Sequence, residues 1–241
     1  MNFITKINYK FLAFLAKRII KKNNPKIIGV VSTDEQKGSD PIFRVFNDHA
    51  GSGVYESDPK MCQGVEIPLA VLGFQRRPFF LSWLFIGIQS LYLCFKKNFP
   101  KYLILNILLA NEKDLLALKS WLKLDTVIVL SRSPFEFSRF ADIIKDESTF
   151  VINADSIKKA DIFIKAKVIT VGIDNKIADY QAENIRKSAS GLEYRITTTG
   201  RKISINSKAK DERDIYPELC AFALGQTLKI QSLKIKDSLE K

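Results

Sequence analysis

The chain predicts an α/β fold: a mostly parallel sheet with helices on both faces, plus a small antiparallel β section. Three observations predict it. Short apolar runs alternate with helix-patterned segments between Ile27 and Val171. The first of these runs passes through a polar turn into a helix, the layout of a phosphate-binding site. After residue 178 the pattern changes to apolar–polar alternation, the signature of half-buried antiparallel strands.

Residues 1–24 form an amphipathic helix in which Phe3, Ile4, Ile7, Phe11, Leu12, Phe14, Leu15, Ile19 and Ile20 recur at helical spacing. It is expected to pack on the domain that follows, with a membrane surface as the other reading. Ile27–Val31 reads as a strand and Pro41–His49 as a short helix. Pro78–Lys97 reads as a long helix leading into strand Tyr102–Leu108. Asp114–Leu122 is a helix with Asn111 and Glu112 near its start. Thr126–Leu130 is a strand, Phe135–Ile144 a helix, and Thr149–Ile152 and Val168–Val171 are strands. Ala178–Ile185, Leu192–Thr198 and Lys202–Asn206 form a small antiparallel meander with turns at Ser190-Gly191 and Thr199-Gly200. Ile215–Leu228 closes the domain, defined as residues 25–228, with an Ala- and Leu-rich helix. The charged tail, 229–241, is expected to fray.

At 241 residues and 46% hydrophobic content the chain can bury the core of one large domain. Cys62, Cys94 and Cys220 form no CxxC pair, so neither disulfides nor zinc is expected, and the compartment reads as reducing and cytoplasmic. His49, the only histidine, reads as a solvated turn residue. The net charge of +12 is spread along the chain without an aromatic-interleaved RNA signature or a helix-turn-helix, so nucleic acid is not an expected partner. Pro78–Phe95 is the most apolar stretch, flanked by Arg76-Arg77 and Lys96-Lys97. It carries Ser82, Gln89 and Ser90, and a buried helix is the reading preferred to a membrane span.

The segment Lys26–Pro41 places a phosphate loop's scaffold without its chemistry. Such a loop needs glycines for backbone N–H contacts, a Lys for the phosphates and a Ser or Thr for Mg²⁺. Here no Gly precedes Lys37 in the turn, and Asp34 and Glu35 put negative charge where phosphate would lie.

The order of these pieces, with several local strings, resembles the central ATP-binding domain of the Mur ligases. It is most similar to the branch that adds D-alanyl-D-alanine to the UDP-muramoyl-tripeptide. The resemblance runs from about Leu15 to Leu228 and rests on weak matches in the right order. Lys26–Val31 resembles the family's Pro-Lys-Ile-Ile-Gly-Val-Thr strand before Gly-Ser-x-Gly-Lys-Thr-Ser. The family's lysine falls on Gln36 or, one residue on, Lys37, and Ser39 is left as a displaced hydroxyl. Gly64–Gly73 resembles the family's Asn-x-Asn-Thr-x-x-Gly-x-Pro-Leu-x-x-Leu-Gly. Pro68, Leu69, Leu72 and Gly73 match, whereas Cys62, Gln63 and Glu66 replace polar or glycine positions.

Tyr102–Leu115 resembles the strand whose glutamate serves magnesium in the family. That position is Asn106 here, and Asp114 matches. Val127–Phe137 resembles the strand ending in Gly-Pro-x-His-Leu-Glu-Phe. Glu136 and Phe137 match, but the His position is Pro134, and Lys145 is no assured counterpart of the family's carbamylated lysine. Val151-Ile-Asn-Ala-Asp155 and Ile169-Thr-Val-Gly172 are the best local matches. They imply that Asn153 and Asp155 lie where base and ribose approach, although Asn-Ala-Asp is equally a cap and turn sequence. Arg213, Asp214 and Pro217 occupy the polar positions of a final His-Asn-x-x-Asn motif.

The resemblance therefore implies a degenerate domain, linked to cell-wall precursor synthesis in bacteria, that binds or scaffolds without ligase activity. No catalytic residue is expected, Asn106 and Pro134 being vestigial positions. The remnant nucleotide set would be Gln36, Lys37, Ser39, Asn153 and Asp155, with no metal and no cofactor. The alternatives are an ATP- and Mg-dependent acid–amino acid ligase whose missing flanking domains act in trans, and a membrane-anchored protein with a span at 78–95. The expected partner is a cell-wall ligase or other protein, with peripheral membrane contact through the basic first helix at the cytoplasmic face.

Overall fold

A computed structural model describes residues 3–32, 38–50, 53–60, 66–74, 88–89, 92–93, 99–108, 112–130, 142–158 and 165–241. Nine strands form one sheet: β1 Lys26–Ser32, β2 Val54–Glu56, β3 Tyr102–Leu108, β4 Leu124–Val129, β5 Ile144–Asn153, β6 Lys167–Gly172, β7 Tyr180–Lys187, β8 Leu192–Thr198 and β9 Arg201–Ser207. Their spatial order is β2-β3-β1-β4-β5-β6-β7-β8-β9. The first seven strands in that order pair in parallel, and β7, β8 and β9 pair antiparallel. The expected meander is thus an extension of the main sheet. β7 joins β6 through only Val171↔Tyr180 and Gly172↔Gln181. The Asp179 carboxylate secures that short junction by accepting from Thr170 N and Oγ1, both at 2.8 Å.

Described helices are α1 Phe3–Asn23, α2 Asp40–Ala50, α3 Glu66–Val71, α4 Glu112–Lys119, α5 Ile215–Thr227 and α6 Ser232–Leu239. The period-2 rule sorts them onto two faces. Ile28, Val30, Ile104, Ile128 and Val151 face a core completed by α2, α5, α6 and the inner residues of β7–β9. Ile27, Val31, Leu103, Leu105, Val127 and Val129 face a second core completed by α1, α3 and α4. Both faces of the strands are buried, which is why they read as continuous apolar runs.

Helix α1 docks as expected. Tyr9, Leu12, Ala13, Ala16 and Ile19 are buried along one stripe. The Tyr9 hydroxyl donates to Ala117 O at 2.7 Å and accepts from Trp121 Nε1 at 2.8 Å. Burial pushes the Tyr9 pKa up to about 12 despite the Trp121 bond.

Three expectations need correction. The tail is not frayed: Ser232–Leu239 is a helix whose Ile235 and Leu239 are fully buried against α2 and α5. Spacing of four residues puts both on one face, and the surrounding lysines disguise it. His49, exposed in the last turn of the expected helix α2, is not only solvated: its Nε2 lies 3.2 Å from both Lys234 O and Ser238 Oγ of the tail helix. The helix expected at Phe135–Ile144 lies outside the described residues up to 141, but Ile144 opens β5, five residues before the expected strand. Leu124 N donates to Ile143 O there at 2.7 Å, and the polar run Lys145–Ser148 hides the strand. The long apolar segment Pro78–Lys97 lies outside the described residues except for Ile88, Gln89, Tyr92 and Leu93. Among the described residues no helix is long and apolar enough to cross a membrane.

The β7–β8 turn closes on Gly191, whose φ of +152° is one that L side chains rarely adopt. A Cβ there would stand 2.3 Å from Ser207 O and 2.8 Å from Ala209 O, both backbone atoms that cannot swing aside. Gly191→Ala is therefore expected to cost about 2–3 kcal/mol in urea unfolding. A variant that unfolds at the same urea concentration would show that the turn can relax.

Candidate functional site

In a sheet of this kind ligands bind at the carboxyl ends of the strands, where the strand order reverses. Here β1 lies between β3 and β4, and the chain leaves its end towards α2. Gln36 and Lys37 fall outside the described residues, as do Cys62, Gln63 and Pro134. The loop's exit is described. A Cβ on Gly38 would come within 2.2 Å of Leu130 Cδ1 and 3.5 Å of Val30 Cγ1. An apolar leucine thus packs directly against the backbone just before the helix.

Ser39 follows, fully buried, with its carbonyl accepting from Phe43 N at 2.8 Å to open α2. Its hydroxyl closes no hydrogen bond of ordinary geometry, and neither does Glu56 Oε1 at the end of β2. The two side chains are neighbours. Burial raises the Glu56 pKa, the Ser39 hydroxyl partly offsets this, and Asp40 adds to it. Glu56 was not legible as a site residue, because its strand is only three residues long.

Asn106, at the magnesium-glutamate position suggested by the sequence, is buried and committed to the fold. Its Nδ2 donates to Ser57 O at 2.9 Å, and its backbone N–H donates to Ser57 Oγ at 2.8 Å. These bonds fix the chain leaving β2 against β3. Asn153 and Asp155 do come together at the end of β5, again in structural roles. Asn153 Nδ2 donates to Leu130 O at 3.1 Å, while its Oδ1 accepts from Asp155 N at 3.0 Å. Asp155 Oδ2 accepts from Ile173 N at 2.6 Å and from Tyr216 Oη at 2.8 Å, and Oδ1 accepts from Asn175 N at 2.6 Å. The Tyr216 pKa is raised, first by burial and then by its bond to Asp155. A cavity of about 290 Å³ beside them is lined by Ala154, Ile157, Lys158, Thr170, Asn175 and Ile177.

Lys145 stands elsewhere. It lies at the start of β5, on the opposite edge of the sheet, with Nζ 2.8 Å from both carboxylate oxygens of Asp125. Asp125 in turn accepts from Ile27 N at 2.9 Å. A larger concavity of about 630 Å³ on that edge is lined by Lys26, Asp125, Lys145 and Asp146 among others. It is remote from the strand ends where nucleotide chemistry would occur. Arg213 is exposed in a short 3₁₀ turn capped by Asp211, Asp214 closes the capping box by accepting from Asp211 N, and Pro217 is buried in α5.

Structures of known proteins share this arrangement. MurF from Acinetobacter baumannii matches with a TM-score of 0.74 and 10% identity, over 97% of this chain and 49% of that one. MurF from Thermotoga maritima in complex with ADP matches with a TM-score of 0.68 and 11% identity, over 95% and 52%. A variant of L. casei FPGS matches with a TM-score of 0.63 and 11% identity, over 96% and 67%. The fold is that of the Mur ligase central domain. The chain spans about half the length of the MurF chains it matches. No protein-family model and no curated protein matches it.

Mur ligase chemistry implies Mg-ATP, and the described residues do not fit it. Among them no three His, Cys, Asp or Glu side chains are grouped to hold a metal ion. Asn106, which the sequence resemblance sets at a glutamate position, is a neutral amide whose Nδ2 donates to Ser57 O. Ser39 and Glu56 offer one neutral hydroxyl and one carboxylate whose pKa burial raises, a poor start on the near-octahedral oxygen set that Mg²⁺ takes.

Proposed function

We propose that the chain is a degenerate Mur-ligase-like domain without autonomous ligase activity, retained for binding or scaffolding in peptidoglycan precursor synthesis. The observation that carries this reading is where the strand-end polar groups are spent. Asn106, Asn153 and Asp155 satisfy Ser57, Leu130, Ile173, Asn175 and Tyr216 of the same chain. Acyl-phosphate formation needs donors and cations aimed at the transferring phosphoryl group, and losing one such group typically costs ~10²–10³ in rate. With the glutamate and histidine positions altered in sequence and no glycine before Lys37 in the turn, such losses compound. The partner we propose is a cell-wall ligase or another protein of that assembly, met at the cytoplasmic face of the membrane.

One observation favours a second reading, an active ATP-dependent acid–amino acid ligase. Ser39 Oγ and Glu56 Oε1 are neighbouring buried oxygens that close no hydrogen bond of ordinary geometry, and both are ligand types magnesium takes. Thermal unfolding with Mg-ATP separates the two. A nucleotide present at ~100 times its Kd would stabilise the fold by about 2.7 kcal/mol. For a chain of this size that is a rise of roughly 5–10 °C in Tm. The expected result is no rise, and a rise of that size would overturn the scaffold reading.

A further inference from the structure

The geometry points to a membrane-docking face: α1, with the exposed Ile88 and Tyr92 beside it, lies on an anionic phospholipid surface without crossing it. The argument begins with what α1 leaves uncovered. Opposite its buried stripe, Lys10, Phe11, Phe14, Lys17, Arg18, Lys21 and Lys22 recur at helical spacing along one exposed arc. Phe11 is 47% and Phe14 58% exposed, unusual for phenylalanines on a helix that already has a full core face. The helix contains no Asp or Glu at all. A helix face adapted only to water mixes both signs of charge along its length. This one sets aromatic side chains among cations of a single sign, the pattern of helices that lie in the headgroup plane.

A second segment extends the face. Leu93 packs with Leu12 and Ile19 of α1 and with Leu69 and Leu72, in an apolar cluster separate from the two main cores. Leu15, half-buried, packs on the same cluster from the edge of α1 next to Phe11. Two described residues near Leu93 in sequence are exposed, Ile88 at 57% and Tyr92 at 61%. Four of the seven exposed large apolar side chains among the described residues, Phe11, Phe14, Ile88 and Tyr92, thus belong to two segments meeting in one cluster. Scattered exposed apolar groups need no explanation, but a concentration rimmed by one sign of charge marks an interaction surface.

Charge complementarity selects the occupant. Basic side chains near an anionic leaflet each contribute to adsorption, and half-exposed aromatic rings add apolar burial in the interfacial layer. The strand ends play no part, so this inference holds whichever way the nucleotide question is answered.

Co-sedimentation of the full chain with vesicles tests it. Binding is expected to vesicles of phosphatidylcholine with about 30% phosphatidylglycerol, to weaken as salt is raised, and to be absent with phosphatidylcholine alone. Reversing three exposed charges together, Lys10→Glu, Arg18→Glu and Lys21→Glu, is expected to weaken binding at least about a hundredfold. Phe11→Ser with Phe14→Ser is expected to weaken it about tenfold. Because these side chains lie outside the core, Tm is expected to stay unchanged, which separates lost docking from lost folding. The proposal is overturned if anionic vesicles are not bound at low salt, or if neutral vesicles bind equally. It is also overturned if the phenylalanine pair makes no difference, or if single-stranded RNA is bound more tightly than vesicles and equally by that pair. Either result would reduce the face to a general polyanion attractant.

Discussion

Asp155→Ala is expected to destabilise the protein by roughly 3 kcal/mol, and to do so whether or not any nucleotide is present. The carboxylate accepts from Ile173 N, Asn175 N and the Tyr216 hydroxyl, joining the end of β5 to the turn after β6 and to α5. Hydrogen bonds to a charged acceptor contribute about 1.5–3 kcal/mol each, and truncation leaves backbone donors facing a gap. Asp155→Asn is expected to cost less than Asp155→Ala, since one oxygen still receives Ile173 N and Tyr216 Oη while only the third donor meets an amide NH₂. Urea unfolding of the two variants measures the ranking. A group whose role was to hold a ribose would give the opposite result, with stability intact and ligand binding lost. Asp155→Ala unfolding at the wild-type urea midpoint would therefore sink the structural assignment.

The parallel strands were legible because both of their faces are buried, so Tyr102–Leu108 stands out as one apolar run with the bounds the structure gives it. The first part of β5 was not legible, because Lys145, Asp146 and Glu147 sit in a strand while pointing charge to its margin. The tail helix was missed for a related reason. Two buried residues, Ile235 and Leu239, carry its packing, and lysine density masks a face that narrow. At the candidate site, local strings placed Asn153 and Asp155 at the end of a strand and Asn106 within another, and the structure has Asn153 closing β5 and Asn106 inside β3. What they could not show is the direction of each side chain's bonds, because an Asn-Ala-Asp string reads alike whether it faces a ligand or caps its own turn. Lys145 is the converse case. Its place at the start of β5 and its pairing with Asp125 follow from a strand boundary that the sequence hid.

Removing the buried carboxylate of Glu218 is expected to have an effect of similar size, and substituting its amide to expose a pH dependence. Glu218 is 4% exposed in α5. Its Oε2 accepts from Tyr194 Oη at 2.7 Å and its Oε1 from Ser207 Oγ at 2.6 Å, so it ties α5 to β8 and to the end of β9. Glu218→Ala strands two buried hydroxyls and is expected to cost about 3 kcal/mol. Burial raises the Glu218 pKa above the ordinary 4.5, with the two hydroxyls and Arg44 opposing and Asp214 reinforcing the shift. A carboxyl whose pKa is raised on folding binds its proton more tightly in the native state than in the unfolded chain. The stability it contributes is complete below the unfolded value and is lost as pH climbs through the folded one. Glu218→Gln does not titrate, and its amide can meet both hydroxyls, since Ser207 and Tyr194 each accept as well as donate. The wild type is therefore expected to compare more favourably with Glu218→Gln at about pH 5 than at about pH 8. Taking the difference between the two proteins cancels Glu56, which titrates with the same sign, and Asp48, whose pKa is lowered chiefly by Lys241. A difference that stays constant across the range, or widens in favour of the wild type as pH rises, would mean that Glu218 is held as a carboxylate by Arg44 and the two hydroxyls.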